Sequence, residues 1–254
     1  MFQTSSKAKS QKQKPSRSLL GRSELIRTLQ NLLDQDLPQS QIRFSERLTQ
    51  NMDFSSSLKL SELHGHLHIL EKKARTKLDS RSEGDQKKAL NSAFDRVHRS
   101  IVQNIEQSFD ISVAQPRFPL PQIDLEIEAS DLSAYQTFYQ AQQIEMSAKI
   151  QGLRTYVRET LSASTVDMAQ LALLDQTLEG TIGFPLRSGF LAVSNVISVY
   201  SQKIEAHLNK HAQGVKQTQL TQFHGELQQL LSAELELRLQ PVQGLLDAFN
   251  QEVL

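Results

Sequence analysis

From Leu132 to Leu161 a seam residue returns at every third or fourth position: Leu132, Tyr135, Tyr139, Gln142, Met146, Ile150, Leu153, Val157 and Leu161. Only a helix turns such a set onto one face, because its side chains repeat every 3.6 residues whereas those of a strand alternate. A seam kept up for some thirty residues needs a second long helix to cover it, and the spacing therefore predicts shallow-angle helix packing. The pattern recurs in Leu171, Leu174, Leu178 and Ile182, and again in Phe190, Val193, Ile197, Tyr200, Ile204 and Leu208. It returns in Leu220, Phe223, Leu227, Leu231 and Leu235, then in Val242, Leu245, Leu246 and Phe249. Gly183-Phe184-Pro185 is expected to break the chain between two of these helices, with Gly180 and Gly183 bracketing a helix end. Pro241 is expected to bend or split the last helix.

The first half carries shorter runs of the same period. Ser23 is a candidate N-cap for Leu25, Ile26, Leu29, Leu32 and Leu33, and Pro38 ends that element. Phe44, Leu48 and Met52 mark a second helix; Asp53 caps a third with Phe54, Leu58 and Leu63; Leu67, Leu70, Ala74 and Leu78 mark a fourth. A longer fifth helix carries Leu90, Phe94, Val97, Ile101 and Ile105. The chain has only 10 glycines and 7 prolines, few for the many tight turns of a sandwich, barrel or α/β fold. The expected class is all-α: a bundle of long antiparallel helices, preceded by a smaller helical subdomain and a disordered basic arm.

Two stretches interrupt the helical pattern. Residues 1–17 hold Lys7, Lys9, Lys12, Lys14 and Arg17, no acid, and almost nothing apolar, so they are read as the disordered arm. The chain is formally neutral, and the remaining 237 residues carry a net charge of −5. An acidic body is a poor match for duplex nucleic acid. Pro116, Pro119 and Pro121 exclude helix, and Ile123 to Glu128 alternates apolar and acidic residues, which suggests an extended connector. The expected division is 1–17 arm, 18–109 N-terminal subdomain, 110–130 connector and 131–254 long-helix bundle.

No catalytic constellation emerges. Cysteine is absent, which removes disulfides, thiolate metal sites and a Cys nucleophile, and fits a reducing compartment. There is no Gly-x-Ser-x-Gly, phosphate loop or dinucleotide fingerprint. His207 and His211 share a helix face, and His64 and His68 share the same spacing, but two histidines supply only half of a zinc shell. His207 and His211 are read as edging the apolar seam beside Ile204 and Leu208, and Gly65 weakens the helix that would align His64 with His68. Asp167 and Asp175 fall on a seam-bearing helix without a visible partner. Tyr135, Phe138 and Tyr139 form the one candidate contact cluster, weighed against plain core. The 30 glutamines are scattered, and Gln142 lies on the seam itself, placed to hydrogen-bond between helices. The most apolar window, Phe190 to Tyr200, falls short of the ~20 residues of a membrane span. With no apolar stretch behind its first charges, the chain reads as soluble and cytoplasmic.

Four segments bear a family likeness: Asp131-Leu-Ser-Ala-Tyr-Gln-Thr-Phe-Tyr139, Leu153-Arg-Thr-Tyr-Val-Arg158, Ala172-Leu-Leu-Asp-Gln-Thr-Leu178 and Ala233-Glu-Leu-Glu-Leu-Arg-Leu-Gln-Pro-Val-Gln-Gly-Leu-Leu246. Together with Leu37-Pro38 and Phe44-Ser45-Glu46-Arg47-Leu48, they resemble the bacterial family known as domain of unknown function 3348. The resemblance runs from about Ser23 to the end, and the segment beginning at Ala233 is its most specific part. One departure is the lack of a tryptophan near Asp53, where this chain has Met52 and Phe54. The resemblance implies no activity and no cofactor. It implies proximity to membrane proteins similar to ion-driven motor stators and to outer-membrane peptidoglycan binders.

The expectation is therefore a non-enzymatic helical scaffold or adaptor, without metal or cofactor, acting on protein partners and accessory to a membrane-associated motor-like complex. A membrane protein is a candidate partner, self-association into an oligomer is compatible with the seams, and direct membrane insertion is not expected. The alternative is a nucleic-acid accessory protein that uses the basic arm.

Overall fold

The computed structural model describes residues 24–33, 83–122, 132–208 and 213–251. The arm, the helices expected between Phe44 and Leu78, the alternation from Ile123 to Glu128, and His64, His68 and His211 lie outside the described residues. The described residues form five helices: α1 (Glu24–Leu33), α2 (Glu83–Phe109), α3 (Ala134–Ser162), α4 (Val166–Leu208) and α5 (Gln213–Gln251). No strand occurs among the described residues. The fold is all-α.

Hydrogen bonds between helices give their directions. Lys149 reaches Ser100 and Gln142 reaches Ser108, so α2 and α3 run antiparallel. Gln136 pairs with Asn195, and Gln143 with the Phe190 carbonyl, so α4 returns antiparallel along α3. Tyr200 meets Glu226 across the next antiparallel return, from α4 to α5. With two hairpins in series, α5 runs parallel to α3, and Tyr135 touches His224 while Ser147 touches Arg238. Residues 110–122 cross between helices without helix of their own, as the three prolines require.

The α3 seam is buried at all nine positions, from Leu132 to Leu161. The α5 seam is buried at Leu220, Phe223, Leu227, Leu231 and Leu235, and again at Val242, Leu245, Leu246 and Phe249. Leu25 and Leu29 of α1 and Leu90, Ile101 and Ile105 of α2 join the same apolar cluster. Edge-to-face rings, Phe109 on Phe138 and Tyr135 on Phe223, fasten α2 and α5 to the start of α3.

Three expectations about the long helices are corrected. Gly180 and Gly183 do not end a helix: α4 runs through them and through Pro185. The axis instead bends by 52° between Val166–Thr181 and Leu186–Ala206. Proline removes one helical N–H and crowds the carbonyl four residues back, which kinks a helix that packing holds on both sides. Pro241 does not split α5, which is one helix from Gln213 to Gln251. In the first limb of α4 the buried face is Met168, Ala169, Ala172 and Asp175, while Leu171, Leu174 and Leu178 are only half-buried. The limb is turned so that Asp175 faces α3, for a reason given below. No single described helix is long and apolar enough to cross a membrane, and the two limbs of α4 reach that hydropathy only when taken together across the bend.

Candidate functional site

Two polar clusters lie on the inner faces of α3, α4 and α5. The deeper one centres on Glu234, which is 0% exposed. A carboxylate at such depth is tolerable only when opposite charge and donors surround it. Arg238, one turn further along α5, donates from Nε at 2.7 Å and pairs at 2.6 Å through Nη2. From α3 the Tyr139 hydroxyl donates at 2.7 Å, and Gln143 Nε2 at 2.9 Å. Gln143 also donates to the Phe190 carbonyl of α4 at 2.8 Å, and Arg238 Nη1 to Ser147 Oγ at 2.7 Å. The Arg238 guanidinium lies 3.7 Å from the centre of the Phe190 ring. Burial pushes the Tyr139 hydroxyl well above its ordinary pKa, and the Glu234 charge pushes it further, so Tyr139 stays a donor.

The second cluster joins α3 to the first limb of α4. Arg154 and Arg158, one turn apart, both reach Asp175: Arg154 Nε donates at 2.8 Å and Arg158 Nε at 2.6 Å. Arg158 Nη1 also pairs with Glu179 at 2.6 Å. Arginine's planar fork suits such bidentate pairing. Asp175 is 8% exposed, and this pairing is why the limb turns Asp175, rather than its leucines, toward α3. Asp175, which the sequence alone could not pair, thus belongs to a four-residue ion network with Arg154, Arg158 and Glu179.

At the bend of α4 a cleft of about 1420 Å³ opens among α3, α4 and α5. Arg154, Arg158, Arg187 and Arg238 line it, along with Glu159 and Glu179. Asp175 and Glu234 do not line it; they stand behind their arginines. Leu186, Phe190, Leu237 and Pro241 supply apolar wall. Arg187 is exposed and has no carboxylate partner among the described residues.

The candidate contact cluster turns inward. Tyr135, Phe138 and Tyr139 are all buried, Tyr139 on Glu234 and Tyr135 with its hydroxyl 2.6 Å from His224 Nε2. Burial pushes the His224 pKa below its ordinary value. Among the described residues no three His, Cys, Asp or Glu side chains gather to hold a metal. The His207 side chain lies outside the described residues.

Sequence reasoning missed the pairing, although its signals were present. Arg154 and Arg158 on α3, and Asp175 and Glu179 on the antiparallel helix that follows, are doublets of opposite charge at the one-turn spacing. Glu234 and Arg238 repeat that spacing inside the apolar run from Leu230 to Leu239. A charged doublet on a face that must be buried calls for a partner across the interface.

The segments that carried the family likeness contain these side chains: Tyr135 and Tyr139, Arg154 and Arg158, Asp175, and Glu234 with Arg238. Neither a curated protein nor a solved structure matches the chain. A family described as "Protein of unknown function (DUF3348)" matches residues 11–251, nearly the whole length. The chain belongs to the DUF3348 family.

Proposed function

We propose that this chain is a non-enzymatic helical scaffold or adaptor of the cytoplasm that works by holding long helices in register and presenting their outer faces to protein partners. The observation that carries this reading is how the buried charges are used. Asp175 and Glu234 are each gripped by arginines, and Tyr139 and Gln143 are committed to Glu234. Groups tied to one another in this way fix register, and they are poorly placed to accept a proton from a substrate.

The outer surface adds support. Ile144 of α3 is 71% exposed and Leu191 of α4 is 58% exposed. The Gln140–Ser194 and Gln143–Phe190 contacts set these two side chains at about the same level of the α3–α4 pair. Neighbouring exposed apolar side chains mark contact surface. The partner class suggested by the family's company is a membrane-associated motor-like complex, and it is the first to test.

Cross-linking in the native host followed by affinity capture tests the reading. Reproducible protein partners are expected, and a chain recovered alone overturns it. The basic run in residues 1–17 keeps a nucleic-acid role as the second reading. That role predicts nucleic-acid retention that falls steeply with salt and disappears when 1–17 is removed.

A further inference from the structure

We propose that the cleft at the bend of α4 docks an acidic polypeptide segment through apolar anchors, an inference that rests on the scaffold reading above. Size points to a polypeptide. At about 1420 Å³ the cleft exceeds the roughly 300–1,000 Å³ typical of small-molecule pockets. Its walls offer Leu186, Phe190, Leu237 and Pro241 to apolar anchors.

Charge points to an acidic partner. Four guanidinium groups reach the wall, against two carboxylates. The acids that balance three of those arginines are not equally placed, since Asp175 and Glu234 sit behind the wall. A visitor in the cleft therefore meets cations before it meets their counter-charges. Arg187, exposed on the α4 wall, makes no ion pair with a carboxylate among the described residues.

The three held arginines are also pre-oriented. Arg238 uses its Nε, Nη1 and Nη2 on Glu234 and Ser147, and two of the five N–H groups of a guanidinium remain. Donors fixed in advance cost little ordering entropy when a ligand arrives. Glu159 and Glu179 on the same wall disfavour the continuous phosphate row of a nucleic acid. Isolated carboxylates spaced along an apolar face suit the wall better.

The test uses the full chain and a fluorescent synthetic peptide of about four helical turns, with leucines at three- and four-residue spacing and glutamates on the flanks. A second peptide carries lysine at each glutamate position, and a single-stranded oligonucleotide serves as competitor. Anisotropy titration should show the acidic peptide bound and the lysine peptide not bound. Arg187→Glu and Gln240→Glu, both at exposed cleft positions, should each weaken binding by about tenfold or more. Arg187→Lys should retain most of it, and Lys88→Glu, exposed on α2, should change nothing. Four results overturn the proposal: no binding of the acidic peptide, equal binding of the lysine peptide, stronger oligonucleotide binding, or indifference to Arg187→Glu. Failure here is separable from failure of the scaffold reading. If the Arg187→Glu chain cross-links to the same cellular partners as wild type, the scaffold stands and the cleft assignment falls.

Discussion

Pro185 and Pro241 stand in the two longest helices, and each removes one backbone hydrogen bond, yet the helices around them are held differently. Pro241 lies in α5 between Leu239 and Val242, both buried, with Leu235, Leu245 and Leu246 buried on either side. Pro185 lies in α4 at a 52° bend. Among the described residues on its N-terminal side, the buried set is Met168, Ala169, Ala172 and a carboxylate, with Leu171, Leu174 and Leu178 half-buried. The limb is fastened by Asp175 and Glu179 to the arginines of α3. Proline permits a bend; the packing around it decides whether a gap results. Here the cleft lies at the α4 bend, and Pro241 of α5 lines its other side.

Leu153→Asp puts a charge into the buried seam of α3 and should cost about 4 kcal/mol or more, or prevent folding, as read by urea denaturation. A cost under 1 kcal/mol would mean that the seam is not sealed. Glu234→Ala leaves Arg238 at the cleft wall without its carboxylate, and Tyr139 and Gln143 without their acceptor, and should cost about 3–5 kcal/mol. Replacing both partners, Glu234→Leu with Arg238→Met, should restore most of that loss.

Asp175→Ala should cost less, about 1–3 kcal/mol, because Arg154 and Arg158 keep Glu179 and some access to water. A penalty equal to that of Glu234→Ala would mean that Glu179 does not compensate the arginines for the lost carboxylate. High salt should shrink the Asp175 effect more than the Glu234 effect.

The smallest expected effect is a pH dependence at His224. Its folded pKa is lowered by burial, so the folded state binds fewer protons than the unfolded chain. Stability from this residue is complete above the ordinary histidine value of 6.5 and is lost as pH falls through the lowered folded value. Thermal melts from pH 8 to pH 5 should fall less steeply for His224→Gln than for wild type. Equal slopes would remove His224 from the account.

Much of the helical architecture was legible because the seams were long. The nine positions from Leu132 to Leu161 predicted a buried face, and every one is buried. Gln142 was expected to bridge helices and donates to Ser108 at 2.8 Å. The first limb of α4 misled for a specific reason. Leu171, Leu174 and Leu178 are the obvious apolar stripe, but the limb faces α3 with Met168, Ala172 and Asp175 instead. Apolar periodicity ranks faces by hydrophobicity alone, and it assigns no value to a carboxylate until its arginines are known to lie opposite.

The helical class, the long seams of α3 and α5 and the helix-free crossing at Pro116–Pro121 are local properties, because each follows from side chains a few residues apart on one chain segment. Tertiary structure alone decided that α4 bends without breaking, that Asp175 and Glu234 are neutralised by arginines of neighbouring helices or turns, and that a cation-lined cleft opens at the bend. Those outcomes depend on which faces meet across helices dozens of residues apart, and electrostatic pairing acts over a few ångströms of space whatever the distance along the chain.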